Sequence, residues 1–350
     1  WDILAEHYYY DDFWKHCDNG TYAHNIKIPM LILSGWHDGD ALGVQETWRL
    51  LTKHDVPNRR IILGPWPHQL NAFRDCLDTE YGDNAIDYDF DTRTIRWFDR
   101  WLKNIPNGED AAPRATYYLG GKGENAWYHA ADWPPPEAKL TELYFDSDGR
   151  ANSMHGDGRL VPKPAPGHKV DSYVYDPENV ATGCGKFEPS VLNELHARQD
   201  YLVYETEPLQ EPVAVAGNLS AVFYASSSAV DTDFFVTVSD VDENGVARKI
   251  STNGIRAEFR NWPDEPSSLM TPGEVYKFEL ILHFAGHVFQ PGHRIRVDIC
   301  SADYITFFPN TNTGKNPYTD PEPIVATQKI LHGADYPSCV RLPILYGSIS

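Results

Sequence analysis

Near residue 113 the hydrophobic period of this chain changes, and that change constrains the fold more than any other feature. Before it, short apolar runs alternate with helical stripes. Ile28 to Gly35 (IPMLILSG) is an apolar run closed by glycine, as expected of a strand buried on both faces. Arg60 to Gly64 (RIILG) repeats the pattern. Between them the spacing predicts a helix from Ala41 to about His54, with Val44, Trp48 and Leu51 on one face, Asp40 as N-cap and Pro57 beyond its end. A second helical stripe runs from Asp87 to Ile105 through Phe90, Trp97, Phe98, Trp101, Leu102 and Ile105, and Pro106 and Gly108 stop it. Strand, helix, strand, helix predicts a parallel α/β layer.

Beyond residue 113 a Pro-rich hinge (Trp133, Pro134, Pro135, Pro136) leads into segments of period two. Tyr276, Phe278, Leu280, Leu282 and Phe284 alternate with polar or smaller neighbours, and Ile295, Val297 and Ile299 alternate with Arg294, Arg296 and Asp298. Asp148-Gly149, Asn244-Gly245 and Pro291-Gly292 supply turns. The fold class expected is therefore α/β followed by an all-β sandwich or jelly roll. No solenoid repeat or low-complexity segment interrupts it.

Composition narrows the function classes. Of 350 residues, 41% are hydrophobic and 13% aromatic, enough for sizeable cores and inconsistent with disorder. Lys and Arg total 30 against 50 Asp and Glu, a net charge of -20, which repels phosphate backbones and anionic lipid. Neither nucleic acid nor a membrane is an expected partner. No apolar run reaches the roughly 18 to 20 residues of a membrane span. The five cysteines, Cys17, Cys76, Cys184, Cys300 and Cys339, never fall in a CxxC spacing, which argues against a zinc ribbon or a disulfide scaffold and mildly favours a cytoplasmic location over a secreted one.

The chemistry is expected at the carboxyl ends of the two apolar strands, where open α/β sheets gather ligands. The first runs into Gly35-Trp36-His37-Asp38-Gly39-Asp40 and the second into Gly64-Pro65-Trp66-Pro67-His68. Asp after one strand and His after the next is the order of the last two members of a Ser, Asp, His triad in α/β-hydrolases. A serine hydroxyl needs a neutral imidazole to take its proton, and a buried carboxylate fixes the imidazole tautomer. By itself, this order is also compatible with an ordinary loop Asp and a loop His, since the chain has 14 His.

GWHDGD followed some thirty residues later by GPWPH resembles the paired motifs of the CocE/NonD acyl-hydrolase family, which includes cocaine esterases, α-amino-acid ester hydrolases and X-Pro dipeptidyl-peptidases. HYYYDDFWK (His7 to Lys15) resembles the family segment that closes the helical cap, and WFDRWLKNIPNG (Trp97 to Gly108) its final hydrolase-domain helix. LVYETEPL (Leu202 to Leu209), DTDFFVTVSDVDENG (Asp231 to Gly245), PGHRIRVDICSADY (Pro291 to Tyr304), NTNTGK (Asn310 to Lys315) and YPSCVRLPI (Tyr336 to Ile344) resemble its C-terminal jelly roll. The resemblance implies the end of a helical cap over 1–26, the C-terminal part of an α/β-hydrolase domain over 27–112, a linker with a connecting strand over 113–138 and the jelly roll over 139–350. It implies Asp38 as triad aspartate and His68 as triad histidine. The chain departs from the family at the nucleophile: no serine has glycine two residues away on both sides, the flanks of Ser34 do not fit an elbow, and Cys184, between Gly183 and Gly185, lies in the β region. The serine and the oxyanion donors are expected in an N-terminal half of the same hydrolase domain, with this chain, which starts at Trp1, as a fragment; a complete but inactive homologue is the other reading.

Asp40, two residues after the triad aspartate, is a candidate for pairing with a substrate ammonium as well as for the helix cap. Trp36 and Trp66 are candidates for packing or for a pocket wall. No metal is expected, because His37 shares no HxH or HExxH spacing with His7, His16 or His24. Asp240-x-Asp242-x-Asn244-Gly245 copies the start of a calcium loop, but its twelfth position is Ser251 and strand-like runs flank it, so a hairpin turn is expected. The function expected is a serine hydrolase of acyl esters, amides or short X-Pro peptides that needs no cofactor. A non-catalytic binding module built on the jelly roll is the alternative.

Overall fold

A computed structural model describes residues 1–121, 123, 125–180, 189–303, 306–319 and 322–349; Cys184 lies outside them. Three helical turns, Asp2–Glu6, Asp12–Lys15 and Asn19–Tyr22, precede the first strand. Residues 1–8 rest on the later part of the chain: Asn316 donates to the Ala5 carbonyl (2.7 Å), Tyr8 Oη donates to Glu258 (3.1 Å), and the Trp1 ring meets Phe308 and Tyr318.

The first sheet holds β1 (Met30–Gly35), β2 (Arg59–Gly64), β3 (Ala115–Leu119) and β4 (Ala126–Ala130) in that order. β1, β2 and β3 are parallel and β4 closes the edge antiparallel. Residues 113–138, expected as a linker with one connecting strand, thus give this sheet two strands. Helix α1 (Ala41–Lys53) crosses from β1 to β2 and buries Trp48 and Leu51, the face its periodicity predicts, with Val44 packed alongside. Helix α2 (Phe90–Trp101) is shorter than the stripe from Asp87 to Ile105. The Leu102 amide still bonds Phe98, but Asn104 takes the left-handed conformation (φ 56°), which an α-helix cannot continue through. Of its stripe Trp97 is buried, while Phe98, Leu102 and Ile105 are exposed.

Apart from a two-residue antiparallel pair, Asp75–Cys76 with Thr79–Glu80, the remaining strands are β5 (Lys139–Asp146), β6 (Arg159–Val161), β7 (Lys169–Tyr175), β8 (Leu202–Glu205), β9 (Val213–Ser227), β10 (Asp233–Val241), β11 (Ala247–Arg256), β12 (Tyr276–Phe289), β13 (Arg294–Cys300), β14 (Ala326–His332) and β15 (Cys339–Tyr346), with a short helix α3 (Pro189–His196) before β8. They form one eleven-stranded, sandwich-like sheet in the order β11-β10-β13-β8-β6-β5-β15-β9-β14-β7, with β12 added against β9. Alternating residues of these strands, Phe145, Tyr204, Phe223, Phe234, Phe278 and Val297 among them, fill a single core. A second core joins the two parts: Trp36, Trp48, Leu63 and Tyr117 from the first pack with Ala214, Ala216, Phe284 and Val288 of β9 and β12. The residues resembling a calcium loop form a hairpin turn. Asp242 accepts the Asn244 and Val246 amides, and both oxygens of Asp240 are taken by His287 and His293 at 2.9 Å. Among the described residues no helix is long and apolar enough to cross a membrane.

Candidate active site

β1 and β2 end at the same level because Gly35 and Gly64 face each other in register. Trp66, two residues past β2, fills the space above both. A β-carbon on Gly35 would lie 2.0 Å from the Trp66 carbonyl oxygen, and one on Gly64 would lie 2.4 Å from its indole. The two loops are then tied through their backbones: the Trp36 amide donates to Gly64 (3.0 Å) and the His37 amide to Trp66 (3.1 Å). This close approach, open only to glycine, carries Asp38 and His68 to one rim of the sheet.

There His68 Nδ1 lies 3.0 Å from Asp38 Oδ1 and 3.5 Å from Asp40 Oδ2. Asp38 is 5% exposed, whereas the His68 and Asp40 side chains are largely open to solvent. Asp38 Oδ1 also accepts the Asp40 amide (3.0 Å), and Oδ2 accepts the Ser34 hydroxyl (3.1 Å). Burial pushes the Asp38 carboxyl up, but the Asp40 amide, His68 and Ser34 together hold it below its usual range. The hydrogen bond to Asp38, then the charges of Asp38 and Asp40, raise His68 above an ordinary imidazole. Because a carboxylate only accepts, Nδ1 carries the proton and Nε2 is left with its lone pair, the form a general base requires.

Asp40 stands at the N-cap position of α1, but its side chain caps nothing. Its backbone (φ -92°, ψ 7°) lacks the extended conformation from which a cap reaches the next turn, so that expectation is corrected. Trp66 is fully buried, its Nε1 donating to the Ala85 carbonyl and its ring against Phe90 and Trp127; it is a packing residue rather than a pocket wall. Trp36 packs against Trp133 and Phe284 and donates to the Tyr118 carbonyl (2.9 Å), yet it also borders a cavity of about 60 Å³ beside Asp38.

The opposite wall of that cavity belongs to the β domain, with Lys249, Ser251, Thr252 and His283. Desolvation lowers His283 to about 4 and His37 to about 3, so both are neutral imidazoles. His37 is hydrogen-bonded to Tyr81 Oη at 2.7 Å and anchors the loop. Nothing in the sequence marks Lys249 or His283, and Ser34 stood out only as a serine whose flanks fit no elbow; the fold gathers all three around Asp38. Among the described residues Asp38, Asp40 and His68 form the one group with donor atoms close enough, within 4.8 Å of one another, to hold a metal ion. No serine hydroxyl is hydrogen-bonded to His68 among them.

A mostly parallel sheet thus brings a buried carboxylate and an imidazole together at its carboxyl edge, backed by a large β domain. Residues 107–341 match the X-Pro dipeptidyl-peptidase C-terminal non-catalytic domain, and residues 1–70 match X-Pro dipeptidyl-peptidase of the S15 family. The chain is 30% identical over 357 residues to the cocaine esterase of Rhodococcus sp. (strain MB1 Bresler), covering 98% of itself and 61% of that protein. An aminopeptidase from the marine sediment archaeon Thaumarchaeota archaeon superposes with a TM-score of 0.85 at 27% identity, over 99% of this chain and 60% of its own. An α-amino acid ester hydrolase shares the fold, with a TM-score of 0.79 at 24% identity over 98% of this chain and 60% of its own. The chain belongs to the CocE/NonD family of hydrolases, corresponds to its C-terminal portion, and spans about three fifths of the length of these relatives.

Proposed function

We propose that the protein containing this chain is a serine hydrolase of acyl esters or amides, with His68 and Asp38 as two members of its triad. The observation that carries the reading is the 3.0 Å contact between His68 Nδ1 and the buried Asp38 carboxylate at the carboxyl ends of neighbouring parallel strands. In this mechanism Nε2 of His68 takes the proton of a serine hydroxyl supplied by sequence upstream of residue 1, as the hydroxyl oxygen adds to the substrate carbonyl. The same nitrogen returns the proton to the leaving alcohol or amine, and water repeats the cycle on the acyl-enzyme. Asp38 holds the proton on Nδ1 and stabilises the imidazolium. Segment 1–26 is the end of the helical cap, 27–112 together with the two strands of 113–138 the C-terminal part of the hydrolase domain, and 139–350 a jelly roll.

The exposed Asp40 carboxylate beside His68 is the group that would attract a substrate ammonium, which favours amino-acyl esters or short peptides with a free amino terminus. The likeness to a structure named as an aminopeptidase supports that preference.

The test is fluorophosphonate labelling of the full-length protein, followed by a panel of neutral esters, amino-acyl esters and X-Pro amides. His68→Ala is expected to abolish labelling and turnover, and Asp38→Asn to lower kcat by about 10⁴-fold. Turnover is expected to fall on acidification as His68 takes a second proton, at a pH above the ordinary imidazole value of about 6.5. Labelling that survives His68→Ala, or a pH profile flat through that region, would refute the triad.

A further inference from the structure

We infer that Ser34, which fits no nucleophile elbow, is a positioning residue for this centre: its hydroxyl fixes the Asp38 carboxylate so that Oδ1 is presented to His68. The inference rests on the reading of Asp38 and His68 as triad members. Ser34 is wholly buried on β1, across the ladder from Leu63 and near Ile32 and Ile61. An apolar side chain would suit such a position, and a hydroxyl there is destabilising unless its hydrogen bond is made. Asp38 Oδ2 provides that bond at 3.1 Å, and as a carboxylate only accepts, Ser34 is the donor.

Asp38 thus takes three donors on two oxygens: His68 and the Asp40 amide on Oδ1, and Ser34 on Oδ2. The amide and the strand-borne hydroxyl are fixed parts of the framework, whereas His68 sits on an open loop. The plane of the carboxylate is therefore set before the imidazole engages. Removing the hydroxyl leaves Oδ2 buried with no donor. The carboxylate then becomes more basic and is free to turn, and it draws the imidazolium more strongly. His68 would be protonated at higher pH and less often aligned.

Two measurements test this. In the full-length protein, the His68 ring is titrated by NMR in the native form, Ser34→Ala, Ser34→Cys and Asp38→Asn, and in Ser34→Ala combined with Asp38→Asn, with near-UV circular dichroism confirming native packing. Ser34→Ala is expected to raise the His68 midpoint by about half a pH unit or more, with Ser34→Cys between it and native; in the Asp38→Asn background, Ser34→Ala is expected to change nothing further. In the full-length enzyme Ser34→Ala is expected to reduce kcat by roughly 3- to 30-fold and to move the acid limb by the same interval as the NMR midpoint, with KM for a neutral ester within about two-fold.

An unmoved His68 midpoint in Ser34→Ala, or a shift that persists when Asp38 is Asn, overturns the inference. Should Ser34→Ala lose native packing, the Ser34→Cys titration decides by the same criterion. If instead the NMR shift appears but the full-length His68→Ala enzyme keeps its activity, the contact stands and the triad reading fails.

Discussion

Asp40 holds its Oδ2 3.5 Å from Nδ1 of His68 while its own backbone amide donates to Asp38, so one residue bears on both partners of the pair. The amide contact survives any substitution other than proline; the carboxylate contact does not.

Asp40→Asn therefore separates two effects. Losing the nearby negative charge is expected to lower the His68 midpoint, since that charge helps to raise it. It is also expected to raise KM for amino-acyl esters by about ten-fold or more, with a smaller change for neutral esters. Steady-state kinetics on matched substrate pairs checks the second effect; equal losses on both would exclude ammonium recognition by Asp40.

Gly35→Ala is expected to destabilise the protein by on the order of 3 kcal/mol, because the new methyl meets the backbone carbonyl of Trp66, which has no soft direction in which to yield. Gly39→Ala is the control. Nothing lies within 4 Å of a β-carbon there, and its thermal midpoint is expected to stay within a few degrees of native. Denaturant melts of the two variants give the comparison.

Deep in the β domain Asp171 accepts Ser147, Tyr204, His332 and the Ala151 amide, all within 3.1 Å. Burial raises this carboxyl, but its donors outweigh burial and lower it. A lowered folded value means stability present above the unfolded value of about 3.8 and lost as pH falls through the folded one. Asp171→Ala strands several buried donors and is expected to destabilise by about 3–5 kcal/mol, read from urea unfolding at neutral pH.

Asp231 shows the opposite sign. Burial, with Asp233 and Glu258 alongside, pushes it up to about 7 against the pull of Asn310 and Arg256. Its raised value favours the folded state below the unfolded value and loses that advantage as pH rises through about 7. Replacing it with Asn removes this dependence, so the stability of Asp231→Asn relative to native is expected to rise by about 1.4 kcal/mol from pH 6 to pH 8. A constant difference across that range would show that Asp231 does not titrate there.

Strands β1, β2, β12 and β13, helix α1 and the two polar loops were legible in the sequence because each follows from local rules: apolar or alternating runs of strand length, a 3.6-residue stripe, and glycine where a strand must stop. The pairing of Asp38 with His68 was legible only through motif resemblance, since thirty residues of chain separate them. Helix α2 was read too long because an apolar stripe carries no mark of where the backbone turns left-handed, as it does at Asn104.

By itself, then, the sequence determined the alternation of elements, the acidic character of the chain and which strand ends run into polar Asp- and His-bearing loops, all of which depend on residues adjacent in the chain or on one face of an element. Tertiary structure alone decided that Trp66 is core rather than pocket, that residues 115–130 complete the first sheet, that Asp40 faces an imidazole instead of capping its helix, and that Ser34, Lys249 and His283 converge on Asp38. Those outcomes depend on which surfaces meet across the sheet and between its two parts. Such meetings are set by packing and by the need of each buried polar group for a partner, and neither is written in the spacing of residues along the chain.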